Sequence, residues 1–176
     1  MKERLTFRRA NPDDALLWAA TRQKAWAATY RGIYPDVWID SYDLAAMADR
    51  ARQTLSDPQI KSYLVMDGEV CGGYFSYGPK DAGEYYLYSL YLLPEYQRQG
   101  LGRRMFQQLA RDCLAANCTR IVHHCNYHNT PARRFYEHMG GRCTGHNGFH
   151  ENKAEDQCRY EYDLTKGELP WLPKPL

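Results

Sequence analysis

Between residues 84 and 117 the sequence passes from a strand-like run to a helix-like run across one short glycine turn. No other stretch limits the choice of fold as much. Glu84-Tyr85-Tyr86-Leu87-Tyr88-Ser89-Leu90-Tyr91-Leu92 is rich in Tyr and Leu, as a long strand is. Pro94 ends it. Gln97-Arg98-Gln99-Gly100-Leu101-Gly102 follows, and then Leu101, Met105, Leu109 and Leu114 recur at helical spacing until Asn117. Glycines let the backbone turn sharply and bring successive N–H groups to one concavity. The first N–H groups of the helix have no partner within it and carry partial positive charge. Such a turn suits a pyrophosphate, and Arg98, Arg103 and Arg104 add full charges nearby. The string is not a P-loop, since no Gly-Lys-Ser/Thr follows, and it lacks the spacing of the Gly-x-Gly-x-x-Gly dinucleotide fingerprint. An ordinary glycine-containing strand–helix turn is the competing reading of these six residues.

The remaining elements fall on either side. Residues 4–9 alternate as a short strand. Asn11-Pro12-Asp13-Asp14 caps a helix running to about Thr29, with Leu16, Leu17, Ala20, Ala25 and Ala28 available for its buried face. Tyr30 to Pro35 breaks it, and a second helical stretch covers roughly 36–56, in one or two pieces. Residues 61–66 and 69–77 form a hairpin around Asp67-Gly68, with Gly72-Gly73 allowing a bulge or a close backbone approach. A strand at 119–125 and a helix from Asn129-Thr130-Pro131 to Gly140-Gly141 come next, then strands near 142–149 and 157–163. The order β-α-α-β-β-β-α-β-α-β-β reads as one mixed α/β (α+β) domain of 176 residues. Its core spans about 4–163, and the tail 164–176, with Pro170, Pro173 and Pro175, is expected to be irregular. The late strand–helix–strand unit fits a parallel crossover.

Composition removes several classes of function. With 44% apolar and 14% aromatic residues the chain can build a core, so disorder is excluded. A net charge of +2 does not favour a polybasic nucleic-acid binder. No apolar run spans a bilayer, and Met1-Lys2-Glu3-Arg4 does not open a signal peptide, so no membrane partner and a cytoplasmic location are expected. Cys71, Cys113, Cys118, Cys125, Cys143 and Cys158 contain no Cys-x-x-Cys pair and read mostly as small buried hydrophobes. All six histidines lie between 123 and 150 (His123, His124, His128, His138, His146 and His150), but their spacing is not that of a metal site, and none is expected.

Two segments carry a family resemblance. The first is Tyr88-Ser89-Leu90-Tyr91-Leu92-Leu93-Pro94-Glu95-Tyr96-Gln97-Arg98-Gln99-Gly100-Leu101-Gly102. The second is Asn129-Thr130-Pro131-Ala132-Arg133-Arg134-Phe135-Tyr136-Glu137-His138-Met139-Gly140. In order and spacing they resemble the signature segments of the GCN5-related N-acetyltransferase superfamily. Gly141 stands where that family usually has an aromatic residue. Trp26-Ala27-Ala28-Thr29-Tyr30-Arg31-Gly32-Ile33-Tyr34-Pro35 is similar to a segment that borders the acceptor substrate in many bacterial members.

The resemblance implies a mostly antiparallel mixed sheet flanked by helices, with a splayed central strand pair. It implies acetyl-CoA as co-substrate, no metal, direct acetyl transfer to a primary amine of a small molecule or of a protein or peptide, and a homodimer as one expected state. A non-catalytic acyl-CoA-binding regulatory module is the alternative. By position, backbone groups of Leu90, Tyr91 and Leu92 would pair with the pantetheine arm. Those of the turn Gln97, Arg98, Gln99, Gly100, Leu101, Gly102 and Arg103 would hold the pyrophosphate. Asn129 would bond the arm, and Tyr136 would lie near the sulfur as the general acid. The family's strand base sits eleven residues before the turn's Gln/Arg, which is Tyr86 here. Glu84, two residues earlier on the same face, and His124, five residues before Asn129, are the candidate bases. The aromatic residues Trp26, Tyr30, Tyr34, Tyr74 and Tyr88 would flank an acceptor channel suited to an apolar or cationic small molecule.

Overall fold

A computed structural model describes residues 5–148, 151–166, 169, 171 and 172. Residues 1–4, His150, Pro170, Pro173 and Pro175 lie outside the described residues. The strands are β1 (Thr6–Arg9), β2 (Lys61–Asp67), β3 (Val70–Pro79), β4 (Glu84–Leu92), β5 (Arg120–Asn126), β6 (Arg142–Asn147) and β7 (Gln157–Asp163). The helices are α1 (Ala15–Tyr30), α2 (Asp36–Asp40), α3 (Leu44–Ser56), α4 (Leu101–Ala115) and α5 (Thr130–His138). Seven strands form one sheet in the order β1-β2-β3-β4-β5-β7-β6. The β4–β5 pair is parallel, from Glu84↔Arg120 to Tyr86↔Val122, whereas β1–β2, β2–β3, β5–β7 and β6–β7 are antiparallel. The mixed α/β architecture expected from the sequence is the one observed.

By packing, the chain divides into two units, and the division falls inside β4. The first comprises Met1–Gly78 and Tyr88–Gly102, the second Pro79–Leu87 and Arg103–Leu176.

In the first unit, Asn11 accepts from Asp13 N–H and Asp14 reaches back to Asn11 N–H, so two donors at the helix start are satisfied. Of the residues expected on the buried face of α1, only Ala25 is buried. Leu16 is 58% exposed and Leu17 36%, while Ala15, Trp18, Ala19 and Ala25 are buried. Alanines occur all round this helix, so its periodicity is weak. Trp18, the buried one of the helix's two tryptophans, selects the face by packing on Tyr74 at 4.4 Å. The β2–β3 hairpin turns at Gly68, whose φ of 58° is unstrained only for glycine. Its register shifts between Val65 and Met66, which places a bulge at the Gly72-Gly73 pair. Leu93 N–H donates to Gly72 O at 2.9 Å. A Cβ on Gly73 would press into the carbonyl oxygen of Tyr91 and come within 2.8 Å of the Leu92 side chain.

In the second unit, Met105, Phe106, Leu109 and Cys113 of α4 are buried and Leu114 is 41% exposed. Cys113, rather than Leu114, therefore continues the apolar stripe. Phe106 meets Tyr162 at 5.0 Å, Phe135 at 5.9 Å and Trp171 at 5.6 Å. Trp171 lies in the tail but is buried, and its Nε1 donates to Met139 O at 2.6 Å. His123 is 1% exposed and stacks on Tyr160 and Tyr162. Burial pushes its pKa down from 6.5 to about 4, so it is neutral at pH 7.

Two predictions follow from this packing. Gly73→Ala forces β3 and the end of β4 apart, so urea unfolding should show a loss of about 1–3 kcal/mol, the range for overpacking. Wild-type stability in the variant would show that the strands can move aside. For His123, the unfolded chain binds a proton below about pH 6.5 that the folded protein refuses until about pH 4. Stability should therefore fall as pH drops through that window, by about 3 kcal/mol from this group, at 1.36 kcal/mol per pKa unit. Folded His123→Phe should show a correspondingly shallower decline between pH 7.5 and 4.5. Equal slopes would mean that His123 is not held neutral.

Candidate active site

Residues expected to bind the acyl donor occur in both units. In the first, β4 ends at Leu92 and a 3₁₀ turn, Pro94–Tyr96, leads to the glycine segment. Arg98 and Gly100 have φ of 59° and 78°. Residues with positive φ inserted among ordinary ones turn backbone N–H groups toward one side, which makes a nest for an anion. Gln97, Arg98, Gln99 and Gly100 are all exposed, and a Cβ built on Gly100 would meet nothing within 4 Å. Two glutamine side chains tie the turn to itself. Gln97 Nε2 donates to Leu92 O at 3.0 Å, and Gln99 Nε2 donates to Glu95 O at 2.8 Å. These side chains thus shape the loop, and what the loop offers a phosphate is its backbone. Leu101 then starts α4, whose first N–H groups add the partial positive charge of a helix start. Exposed Arg103 and Arg104 stand in its first turn. This donor set fits a pyrophosphate.

Also in the first unit, Tyr30 Oη and Tyr91 Oη lie 3.0 Å apart, joining α1 to β4. Tyr34 stacks on Trp26 at 5.5 Å and lies against Trp38 at 5.8 Å. Trp38, at 42% exposure, was not anticipated from the sequence. Tyr74 is core and stacks on Tyr91 at 5.3 Å, whereas Tyr88 is exposed.

In the second unit, Asn129 caps α5. Its Oδ1 accepts from Ala132 N–H at 3.2 Å, so the side chain offers a ligand its Nδ2 donors. Asn126 Nδ2 donates to Ala154 O at 2.6 Å, and its Oδ1 accepts from His128 N–H at 2.9 Å, which locks the turn before α5. Tyr136 is buried, with its ring 4.1 Å from His123 and 6.0 Å from Phe106. Tyr162 Oη donates to the Tyr136 carbonyl at 3.1 Å. The ring that carries the candidate acid is therefore fixed by aromatic packing on several sides.

The two candidate bases share one face of the β4–β5 pair. Glu84 Oε1 is 3.2 Å from Arg120 Nη1. One step along, Tyr86 Oη is 2.7 Å from His124 Nδ1. Tyr86 was named from the sequence only as the usual position of a base, and its bond to His124 was not foreseen. The two residues are 38 apart in sequence, and only the parallel register brings them together. Desolvation, with Arg159 and Lys80 nearby, lowers the His124 pKa below its ordinary value.

Other groups do different work. Burial pushes the Cys125 thiol up to about 12, so it is no nucleophile at neutral pH. His128 Nε2 bonds Lys153 O at 2.8 Å, and His146 stacks on Tyr127 at 4.4 Å. Among the described residues no group of three or more His, Cys, Asp or Glu side chains is placed to hold a metal ion. No described helix is long and apolar enough to cross a membrane.

Comparison with known proteins adds the family. The PaiA N-acetyltransferase of Thermoplasma acidophilum, solved with coenzyme A, superposes with a TM-score of 0.74 at 16% identity, over 91% of this chain and 99% of that one. An acetyltransferase of Thermus thermophilus gives 0.74 at 20% identity, over 93% and 100%. The ribosomal-protein-S18-alanine N-acetyltransferase of Escherichia coli gives 0.68 at 16%, over 92% and 94%. At these identities the likeness establishes the fold. Among curated proteins, none matches the chain in sequence. Residues 19–141, more than half of the chain, match the Acetyltransferase (GNAT) family. The chain thus belongs to the GNAT acetyltransferases, enzymes whose acyl donor is acetyl-CoA.

Proposed function

We propose that the protein transfers the acetyl group directly to the primary amine of a small molecule, with a protein or peptide amine as the broader class. The reading rests chiefly on the exposed turn with positive φ at Arg98 and Gly100 that opens α4. Acetyl-CoA supplies the acyl group as an activated thioester. Backbone N–H groups from Arg98 to Arg103 take the pyrophosphate charge. Backbone groups of Leu90, Tyr91 and Leu92 receive the pantetheine arm, and Asn129 Nδ2 donates to it. Leu92 N–H donates to the carbonyl oxygen as negative charge gathers there. Tyr136 gives its Oη proton to the departing sulfur. A phenol suits this step, because phenol and thiol have reference pKa values within about two units. An alkylamine, with a pKa around 10, reacts as its neutral form, having given its ammonium proton to water, and His124 takes the second proton, released as the N–C bond forms. Glu84 is committed to Arg120, which favours His124. Since Cys125 stays a thiol, transfer needs no acyl-enzyme. The Trp26, Tyr34 and Trp38 rings of the first unit would give an apolar or cationic amine a surface to pack on.

Two variants test this reading. Gly100→Ala places a methyl group where the phosphate approaches, at a strain of about 1–2 kcal/mol for a side chain in the left-handed region. Calorimetric affinity for acetyl-CoA should fall about tenfold or more, as expected when a charge-assisted hydrogen bond is lost. Unchanged affinity would remove the pyrophosphate assignment. Tyr136→Phe should lower single-turnover thiol release about 10²-fold, the low end for acid–base catalysis, with acetyl-CoA binding intact. Wild-type release would exclude the acid role, whereas loss of binding together with release would make Tyr136 a structural contact. A wild-type protein that binds acetyl-CoA yet releases no thiol with any amine of a broad panel would be the non-catalytic module.

A further inference from the structure

We propose that Tyr86 is a positioning residue. Its Oη accepts a hydrogen bond from His124 Nδ1–H and so holds the imidazole in the tautomer whose Nε2 lone pair faces the incoming amine. This inference rests on the acetyltransferase reading of the same site.

Its first support is geometric. Tyr86 pairs with Val122 across the parallel ladder, and His124 lies two residues further along β5 on the same face. The aromatic side chains reach diagonally across the strands to a 2.7 Å contact, with ring centroids 5.9 Å apart. One ring nitrogen of His124 is thereby fixed. Among the described residues the other, Nε2, has no hydrogen-bond partner, and the side chain is exposed. One pinned nitrogen and one open nitrogen make an oriented base, because the bond at one position sets the protonation of the other.

The second support is the surrounding charge. Lys80 Nζ sits 4.0 Å from the centre of the Tyr86 ring, and Arg159 lies opposite His124 on β7. Arg159 is itself paired with Glu161 and donates to Thr144 Oγ1. The Glu84–Arg120 pair stands one step back on the same face. The neighbouring His123 is buried and neutral at pH 7. The two cations nearest His124 favour its uncharged, proton-accepting form.

Third, alternation along β5 separates the two proton carriers. His123 packs its ring on Tyr136 at 4.1 Å, and the next residue, His124, points to the opposite face with Tyr86. The strand backbone thus keeps acceptor and donor from exchanging a proton directly. His124 Nε2 takes the amine proton as the N–C bond forms and becomes an imidazolium. Tyr136 releases its proton to sulfur as the C–S bond breaks and is left as a phenolate. Exchange with water restores both.

The test uses the full chain as wild type, Tyr86→Phe and His124→Gln. The first arm is imidazole ¹⁵N NMR against pH, which needs no acceptor. The wild type should show His124 protonated on Nδ1. Tyr86→Phe should lose that preference and titrate at lower pH, because the lost bond is stronger to the imidazolium. A wild-type Nε2–H tautomer, or an upward shift in Tyr86→Phe, would mean that the phenol is the donor and would overturn the proposal. The second arm is single-turnover thiol release with tyramine and cadaverine as probe amines. His124→Gln should lose about 10²-fold, as for removal of a general base, and Tyr86→Phe about tenfold, with acetyl-CoA affinity unchanged and the acid limb displaced downward. Wild-type rates and limb in Tyr86→Phe would overturn the proposal while leaving the acetyltransferase reading intact. If the wild type releases no thiol with either probe or any panel amine, that reading fails for amines and the NMR arm still decides the Tyr86–His124 bond.

Discussion

Strand β3 reaches the end of β4 only because residue 73 has no Cβ. The atom would lie against the Tyr91 carbonyl and the Leu92 side chain, and a Cβ on Gly72 would meet the Tyr96 ring at 2.6 Å. The close approach lets Leu93 N–H bond Gly72 O, and Gln97 then takes the Leu92 carbonyl. Buried or half-buried backbone groups need partners, so these contacts define where the strand stops and how the chain enters the turn. The positive φ at Arg98 and Gly100 and the start of α4 follow within a few residues. The shape of the turn therefore rests on the close fit of β3 against the end of β4.

Strand β5 organises the second unit in a different way. It has β4 on one side and β7 on the other, so successive side chains face opposite environments. His123 enters a cluster of Phe106, Tyr136, Tyr160 and Tyr162 and is kept neutral by desolvation. His124 turns to the exposed face and meets Tyr86. Two adjacent residues of one type thus acquire different chemistry from the face of the strand each occupies. The excess of tyrosine serves both purposes. The rings fill the core, and the hydroxyls find partners there: Tyr160 donates to Glu137 at 2.8 Å and Tyr162 to the Tyr136 carbonyl. Tyr74 Oη is buried without a partner among the described residues, a cost offset by its packing between Trp18 and Tyr91.

Local signals were legible in the sequence because their causes are local. Asn11 and Asn129 each accept from a backbone N–H two or three residues on. Gly68 and Gly140 take up positive φ where a hairpin and a helix end. These residues settle the order and type of the elements, and the glycine turn with the Asn129 segment marks the family. The sequence alone also singled out Tyr136, Asn129 and the turn as the residues of interest. The missing information had a long range. An alanine-rich α1 carries no strong stripe, so its buried face waited for Trp18 to find Tyr74. Trp171, in a segment read as an irregular tail, is anchored by Met139 and Gln107, 32 and 64 residues away. Tyr86 and His124 meet only through a register set by β4 against β5. Hydrogen-bonded turns and caps are decided within a few residues, whereas a shared face, a buried neutral imidazole and a cross-strand bond depend on which distant surfaces come into contact.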